Sequence, residues 1–202
     1  MKRYEKFNST DIPNGFYWFN QPKHFKTGNG LEIYTDTKTD FWQKTNYGFM
    51  RDDGHCLFTK ITGDFTAMTH VEFDPKEKYD QCGILARVNE QNWIKASTEF
   101  EDSKISRLGS VVTNLGYSDW ATNDISSSYN KMWYKINRRS NDFRIESSFD
   151  GTKWNQMRIT HLHSASEQIE IGMYACSPIG RNFHCRFFVF SIGENNWFNE
   201  EN

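Results

Sequence analysis

Hydrophobic and polar residues alternate along most of the chain, and this alternation predicts β-strands. Ten runs have a period of two, which places successive side chains on opposite faces of an extended strand: GLEIYTD, HCLFTKI, FTAMTHVEF, CGILARV, WIKASTEF, RLGSVVTN, MWYKINRR, DFRIESSF, QIEIGMYA and HCRFFVFSI. Turn-forming clusters such as DDGH, DPKEK, VNEQN, RRSND and FDGTK separate the runs. Helical periodicity is almost absent. About ten strands with short loops predict an all-β fold, an antiparallel sandwich or barrel.

The hairpin predicted between Tyr79 and Glu101 has the clearest polar face. Its sequence, YDQCGILARVNEQNWIKASTEFE, directs one set of side chains inward: Cys82, Ile84, Ala86, Val88, Ile94, Ala96, Thr98 and Phe100. The other set points outward: Gln81, Gly83, Leu85, Arg87, Trp93, Lys95, Ser97, Glu99 and Glu101. A tryptophan, a lysine and two carboxylates in one row indicate a binding face.

Two carboxylates of that row, Glu99 and Glu101, are also candidates for catalysis. Residues two apart on one strand face have Cα atoms about 7 Å apart, which is near the separation of paired carboxylates in glycoside hydrolases. One acid of such a pair must stay protonated near neutral pH while its partner is ionised. Lys95 in the same row is able to neutralise Glu99, and the row is then a charge ladder without chemistry. The charge ladder is the commoner arrangement.

A second polar cluster lies in the segment VVTNLGYSDW, where a β-branched run leads into a glycine-containing loop. Asn114, Ser118, Asp119 and Trp120 are residue types that hydrogen-bond to hydroxyls and stack on sugar rings. The alternative is an Asx-rich turn in which Trp120 plugs one end of a sandwich.

Length and charge narrow the class of partner. A chain of 202 residues is long enough for one stable domain, and we expect its core at about residues 14–193, followed by a short polar tail, GENNWFNEEN. The formal net charge of −2 provides no basic field for nucleic acid. The N-terminal sequence MKRYEKFNSTDIPNG lacks an apolar secretory run, and no segment has the length of a membrane span. We therefore expect a cytoplasmic protein that binds neither nucleic acid nor membrane.

No motif for a cofactor or metal is present. The four cysteines are Cys56, Cys82, Cys176 and Cys185. Their wide spacing, without a CxxC pair, predicts reduced structural thiols. His161 and His163 would lie on one side of an extended chain, but no local cysteine or carboxylate completes a metal site. Gly-x-Ser-x-Gly, GxGxxG and P-loop motifs are absent, so we expect neither a cofactor nor a metal.

The segment from Ser148 to Trp154, SFDGTKW, predicts a tight hairpin. Asp-Gly between two alternating runs favours a type I′ turn, because glycine tolerates a positive φ. We expect Trp154 to close over the returning strand, which assigns this segment to folding.

Several motifs, taken in order, resemble one protein family. They are Asp40-Phe41-Trp42, Tyr79-Asp80-Gln81-Cys82-Gly83, Trp93-Ile94-Lys95, Glu99, Val111-Val112-Thr113-Asn114, Ser118-Asp119-Trp120 and Ser148-x-Asp150-Gly151-x-x-Trp154. Together they resemble the regulation-of-enolase protein family, also catalogued as domain of unknown function 1349, from about Asn14 to Gly193. The resemblance implies a concanavalin A-like lectin/glucanase jelly roll of two curved antiparallel sheets with a concave face.

The resemblance transfers no established catalytic residue. Glucanases of the wider superfamily have a Glu-x-Asp-x-x-Glu strand, whereas this chain has Glu99-Phe100-Glu101-Asp102-Ser103-Lys104. Glutamate replaces the central aspartate, and lysine replaces the last acid. This departure disfavours a hydrolase.

Three functions fit such a jelly roll. The first hypothesis is noncatalytic binding of a carbohydrate or similar polyhydroxylated ligand on the concave face, through Gln81, Arg87, Trp93, Lys95, Glu99, Asn114, Ser118, Asp119 and Trp120. In this hypothesis Trp93 and Trp120 stack on the ligand, and Arg87 and Lys95 also tolerate an anionic sugar. The second is a glycoside hydrolase that uses Glu99 with Glu101 or Asp119. The third is a protein-binding module that contacts a metabolic enzyme.

Overall fold

Two antiparallel sheets pack face to face in the structure, a computed structural model that describes residues 3–197. The eight-stranded sheet contains, in order, β15 (Asn155–His161), β14 (Asp142–Ser148), β13 (Lys131–Arg139), β8 (Phe65–Asp74), β17 (His184–Gly193), β4 (Leu31–Tyr34) and β3 (His24–Lys26), with β1 (Arg3–Glu5) also paired to β17. The seven-stranded sheet contains β12 (Tyr117–Ser126), β11 (Ile105–Asn114), β10 (Asn92–Phe100), β9 (Gln81–Asn89), β16 (Gln168–Cys176), β7 (His55–Thr62) and β2 (Phe16–Phe19). A separate hairpin joins β5 (Phe41–Gln43) to β6 (Met50–Asp52).

The main core lies between the two sheets, where the alternation of the strands predicts it. From the seven-stranded sheet, Ile84, Ala86, Ile94 and Ala96 contribute to this core and are fully buried. The expected all-β jelly-roll sandwich and the inward phase of β9 and β10 are therefore confirmed. The four cysteines are free and buried. Within residues 3–197 no helix is long and apolar enough to span a bilayer.

A second hydrophobic cluster covers the outer face of the seven-stranded sheet, the face turned away from the main core. Its members include Leu85, Trp93 and Tyr174 from the strands, together with Phe41 from β5. Gly54 makes room for this arrangement, because a Cβ atom there would lie 2.3 Å from the Phe41 ring. The outward side chains of β9 and β10 are consequently not all solvated, since the hairpin segment packs over some of them.

The ten predicted runs all form strands, and seven further strands have no clear alternation in the described part of the chain. Five of these are only three or four residues long. The other two, β12 and β15, lie at sheet edges and are mostly polar. Ser118, Asp119 and Trp120 therefore belong to an edge strand and not to the loop expected from the sequence.

The predicted type I′ turn at Asp150-Gly151 is wrong. Such a turn requires positive φ at both central residues, but only Gly151 of the two has one, at 74°. The connection between β14 and β15 runs through residues 149–154. The Asp150 carboxylate accepts hydrogen bonds from the backbone N–H groups of Thr152 and Lys153, at 2.7 and 2.8 Å. An Asx-type loop thus replaces the tight turn. Residues 198–202 of the predicted polar tail lie outside the described range.

Candidate functional site

A pocket of about 530 Å³ opens on the outer face of the seven-stranded sheet, beside the β5–β6 hairpin. Its polar and charged lining residues are Asp40, Arg51, Gln81, Lys95 and Glu99. Its aromatic and apolar lining residues are Trp42, Tyr47, Phe49, Tyr79, Val111, Trp120, Pro178 and Ile179. Four residues expected at the binding face, Gln81, Lys95, Glu99 and Trp120, are among them.

Lys95 is a buried cation at the floor of the pocket, on the interior strand β10. Its Nζ donates hydrogen bonds to the carbonyl oxygen of Phe41 at 3.0 Å and to Gln81 Oε1 at 2.9 Å. The carboxylate of Asp40 lies 3.7 Å away. A buried ammonium group is stable only when it is paired and hydrogen-bonded, and these partners meet that condition. Lys95 therefore fixes the position of β5 over the sheet.

The Gln81 side chain connects Lys95 to Glu99 through hydrogen bonds. Gln81 Oε1 accepts from Lys95 and, at 3.1 Å, from the Tyr174 hydroxyl. Both donors require an acceptor, so the amide nitrogen must be on the opposite side. Gln81 Nε2 donates to Glu99 Oε2 at 2.8 Å and to the carbonyl oxygen of Tyr79 at 3.3 Å. The amide is saturated and holds the Glu99 carboxyl at the edge of the cavity.

Glu99 is the pocket residue with the most perturbed acidity. Burial disfavours its charged form and raises the pKa to about 7, although the ammonium of Lys95 opposes the shift. The negative charges of Asp40 and Glu101 raise the pKa further, while Arg107 lowers it. Near neutral pH this carboxyl therefore exchanges between an acceptor and a donor of hydrogen bonds.

Arg51 and Asp40 stand at the hairpin side of the pocket. Arg51 Nη2 forms an ion pair with Asp53 at 2.7 Å, and its Nε lies 3.2 Å from both oxygens of the same carboxylate. Arg51 also donates to the carbonyl oxygen of Lys38. Asp40 Oδ1 accepts from the backbone N–H of Phe41 at 2.8 Å. Each cation of the pocket thus already faces a carboxylate.

Aromatic rings form the walls and the mouth. Trp42 is buried and donates its indole N–H to the carbonyl oxygen of Thr45 at 3.0 Å. Tyr47 packs edge-on against Trp42 and stacks on Phe49, with ring centroids 5.5 and 5.7 Å apart. Trp120, from the edge strand β12, is 37% exposed. The exposed rings provide flat apolar surfaces next to the polar floor.

Trp93 does not take the stacking role expected of it. Its ring is fully buried, lies under Phe41 with ring centroids 6.1 Å apart, and donates its indole N–H to the carbonyl oxygen of Glu90 at 3.1 Å. The outward phase of Trp93 was predicted correctly, but the hairpin packs over the indole. Its role in the structure is to support Phe41 beneath the pocket.

Arg87 lies on the same strand face as Gln81 but away from the pocket. Six residues of strand separate the two, which is about 20 Å. Arg87 pairs with Asp52 at 2.6 Å and with Glu170 at 3.6 Å, and its guanidinium covers the ring of Phe19. Arg87 therefore belongs to a separate ionic cluster. The expected continuous row of binding residues from Gln81 to Arg87 is not formed.

Asn114, Ser118 and Asp119 do not line the pocket. Ser118 is buried and accepts a hydrogen bond from the backbone N–H of Gln43 at 2.9 Å, which attaches the β5–β6 hairpin to β12. Asn114 bonds to the backbone of His161 and His163, at 2.7 and 3.1 Å. These contacts position the edge strand, so Ser118 and Asn114 support the site without facing it.

The two carboxylates considered as partners of Glu99 are engaged elsewhere. Glu101 pairs with Lys78 at 2.5 Å and Arg107 at 3.0 Å, and the hydrogen bond from Lys78 lowers its pKa. Asp119 pairs with Arg158 at 2.8 Å and is largely solvated. The pocket contains a different second carboxyl, that of Asp40.

Sequence reasoning missed the contribution of the β5–β6 hairpin and of the loop that carries Pro178 and Ile179. The hairpin strands are three residues each, too short for a recognisable alternation. The available signal was composition, since residues 40–51 place four aromatic side chains and three charges within one short segment. Among the residues that the structure describes, no group of three or more His, Cys, Asp or Glu side chains is arranged to hold a metal ion.

The two packed antiparallel sheets form a jelly-roll sandwich of the concanavalin A-like class. A solved GH43 protein, the BlXynB mutant K247S from Bacillus licheniformis, is similar in fold with a TM-score of 0.76 and 14% identity, over 96% of this chain and 39% of that chain. At this identity the similarity shows the fold alone.

The family model described as "Protein of unknown function (DUF1349)" matches residues 18–195, and the chain belongs to this family. It is similar to "Regulation of enolase protein 1" of Saccharomyces cerevisiae, with 34% identity over 185 residues and 91% of each chain covered. A solved structure of a functionally unknown protein from Saccharomyces cerevisiae has a TM-score of 0.83 and 32% identity, over 89% of this chain and 96% of that one.

Proposed function

We propose that the protein binds a carbohydrate or similar polyhydroxylated ligand in the outer-face pocket, without catalysis. The observation that carries this proposal is the convergence of carboxyl groups and aromatic rings on one cavity of about 530 Å³. A concave, mostly apolar cavity with a few fixed polar groups is the usual form of a small-molecule site.

Each part of the pocket has a matching feature in a sugar. Trp120 and Tyr47 supply exposed ring faces that pack against the apolar face of a pyranose. Glu99 and Asp40 supply oxygen acceptors for hydroxyl groups. The Lys95–Gln81 network holds the Glu99 carboxyl in place before a ligand arrives, and such preorganisation reduces the entropy lost on binding.

Binding without catalysis is favoured because neither expected partner of Glu99 shares its cavity. Glu101 and Asp119 both form ion pairs outside the lining. Asp40 is held by the backbone N–H of Phe41 and by Lys95, which suits an anchoring group for a hydroxyl.

A glycan-array screen tests the proposal. The purified protein is compared with Trp120→Ala, which removes a ring from the mouth, and with Phe149→Ala, which removes a similarly exposed ring (42%) from the β14–β15 loop. We expect bound glycans for the wild type and for Phe149→Ala, and loss of signal for Trp120→Ala. Binding that all three proteins share would place the carbohydrate site elsewhere, and no binding by any of them would overturn the proposal.

The second candidate function is regulation of a metabolic enzyme through a protein contact in the cytoplasm. The printed name of the yeast relative, "Regulation of enolase protein 1", favours it. Met50 follows the lining residue Phe49 in the chain and is 61% exposed, as is Tyr117, and each provides exposed apolar surface for such a contact. Surface plasmon resonance with purified enolase tests this candidate. Enolase binding that persists in Trp120→Ala supports it, and absence of binding at micromolar concentrations contradicts it.

A further inference from the structure

The hydrogen-bonding groups of the pocket differ in how many partners they already have, and this difference restricts the ligand. The inference rests on the proposed function, since it concerns the same cavity. Lys95 directs its ammonium to two oxygen acceptors at 2.9 and 3.0 Å and has Asp40 at 3.7 Å. Being only 3% exposed, this side chain has no room to turn toward a ligand.

Arg51 is the other cation of the lining, and Asp53 balances its charge. The pair is in close contact through both Nε and Nη2 of Arg51. Nη2 also donates to the carbonyl oxygen of Lys38. The Asp53 carboxylate occupies the Nε–Nη2 side of the guanidinium, so an incoming anion is limited to Nη1, beside a charge that Asp53 already balances.

Gln81 has no capacity left for a ligand. Its oxygen accepts from Lys95 and Tyr174, and its nitrogen donates to Glu99 and to the carbonyl oxygen of Tyr79. A primary amide has two N–H donors and one acceptor oxygen with two lone pairs. All four hydrogen-bonding positions of Gln81 are therefore occupied.

Around Lys95 and Gln81, the open atoms of the floor are carboxyl oxygens. Within residues 3–197, Glu99 Oε1 and Asp40 Oδ2 have no hydrogen-bond donor, whereas Glu99 Oε2 and Asp40 Oδ1 each have one. Counting the paired Asp53, the site holds two cations and three carboxyl groups. With Glu99 ionised, the net charge of these five groups is −1, which favours a ligand that brings hydrogen-bond donors and disfavours one that brings a further negative charge.

We propose that the pocket selects saccharides without acidic groups, recognised by hydroxyl or amino donors that point at Glu99 Oε1 and Asp40 Oδ2. This replaces the expectation that Arg87 and Lys95 admit an anionic sugar, because Arg87 is outside the pocket and Lys95 is neutralised within it.

The test uses matched saccharides at pH 8, where the Glu99 carboxyl is mostly ionised. Surface-immobilised neutral oligosaccharides, their sulfated or uronic-acid counterparts and their amino-sugar counterparts are presented to the wild type, to Trp120→Ala and to Glu99→Gln. We expect Trp120-dependent binding of neutral or amino members, at least tenfold weaker binding of their acidic counterparts, and about tenfold weaker binding of the neutral members by Glu99→Gln. The glutamine keeps an acceptor oxygen for Gln81 Nε2, so we expect the variant to fold.

The two proposals fail in different ways. Trp120-dependent binding of acidic saccharides in preference to neutral ones would overturn this inference while leaving the pocket as a carbohydrate site. Equal affinity of Glu99→Gln and wild type for a neutral saccharide would also overturn it. Absence of any Trp120-dependent binding would overturn both proposals together.

Discussion

Both sheets carry a buried lysine–carboxyl cluster on their outer faces, and the two clusters differ in what surrounds the carboxyl. On the eight-stranded sheet, Glu146 faces Lys135 across β13 and β14 at 3.0 Å, has Arg144 at 3.2 Å and accepts from Asn137 at 2.7 Å. The ring of Trp154 covers Lys135, with Nζ 4.3 Å from the centroid. On the seven-stranded sheet, Glu99 accepts one hydrogen bond, from Gln81, and borders an open cavity.

The difference distinguishes a structural cluster from a site. Glu146 is 1% exposed and does not line the smaller cavity of about 250 Å³ beside Lys135. Its two cations stabilise its charge. Glu99 is instead partly desolvated without a directly paired cation. Its raised pKa reflects the free-energy cost of ionising this carboxyl in the folded protein. A carboxyl kept in an unfavourable state at the edge of a cavity is typical of functional positions.

Removing the charge of Glu146 should have the largest effect. Glu146→Gln leaves Lys135 and Arg144 without this carboxylate in a buried region, and loss of one partner from a buried ion pair lowers the free energy of unfolding by about 3–5 kcal/mol. Urea denaturation measures it. Glu72→Gln on the same sheet is the control, because its pair with Lys131 is exposed and contributes at most about 1 kcal/mol. Equal effects of the two substitutions would contradict a buried structural role.

Glu99→Gln should act in the opposite direction. Because folding raises the pKa of Glu99 from 4.5 to about 7, the folded state binds more protons than the unfolded state between these values. The stability contribution of the wild-type side chain is therefore present below about pH 4.5 and is lost as the pH rises toward 7. We expect the variant to be about 2–3 kcal/mol more stable than the wild type at pH 8.

The pH dependence separates this effect from a change in packing. At pH 5 the gain of Glu99→Gln should fall to about 1 kcal/mol or less, since the wild-type carboxyl is then protonated in the folded state and only partly ionised beyond that in the unfolded state. Lys95, Asp40, Glu101 and Arg107 are the charged groups that act on Glu99, and they are the same in both proteins. A gain that is equal at pH 5 and pH 8 would show that Glu99 is not the titrating group.

Trp120→Ala should change binding more than stability. The ring is 37% exposed on an edge strand, so we expect the free energy of unfolding to change by about 0.5 kcal/mol or less. Affinity for a bound saccharide should fall at least tenfold, as measured by isothermal titration calorimetry, while Phe149→Ala keeps wild-type affinity. An unfolding change as large as that of a core truncation would show that Trp120 is part of the fold and not of a binding surface.

Asp119→Asn should have the smallest effect. Its pair with Arg158 is solvent-exposed on the aspartate side, and such pairs contribute up to about 1 kcal/mol. We expect saccharide affinity to be unchanged, because Asp119 is not in the pocket lining. A tenfold loss of affinity in calorimetry would show that Asp119 contributes to the binding site.

The fold was largely predictable because a buried sheet imposes a period of two on its strands. The ten alternating runs are strands with at least one buried face, nine of them seven to ten residues long, and all of them were found. The polar edge strand β12 was taken for a loop because one of its faces is solvated and the other makes few apolar contacts. Hydrophobic and polar residues alternate with a period of two only where one face of the strand is buried. A strand without a buried face therefore lacks this alternation.

The site was predictable only in part, because alternation gives the face of a residue and not what covers that face. Gln81, Lys95 and Glu99 were placed correctly on the outer side of β9 and β10. Trp93 has the same phase but is buried by Phe41, a residue more than fifty positions earlier in the chain. Such long-range packing has no local signature, and the same holds for the hairpin that completes the pocket.

The most direct test of the central claim, that the Gln81–Lys95–Glu99 pocket is a saccharide site, is a nitrogen–proton correlation spectrum recorded during titration with a neutral saccharide retained on the array. We predict shifts of the Trp120 indole and the Gln81 side-chain amide. The signals of the Arg87 side chain and of the Trp133 indole, which lies on β13 of the eight-stranded sheet, should stay unchanged. Shifts confined to Arg87 or to the eight-stranded sheet, with Gln81 and Trp120 unmoved, would contradict the claim.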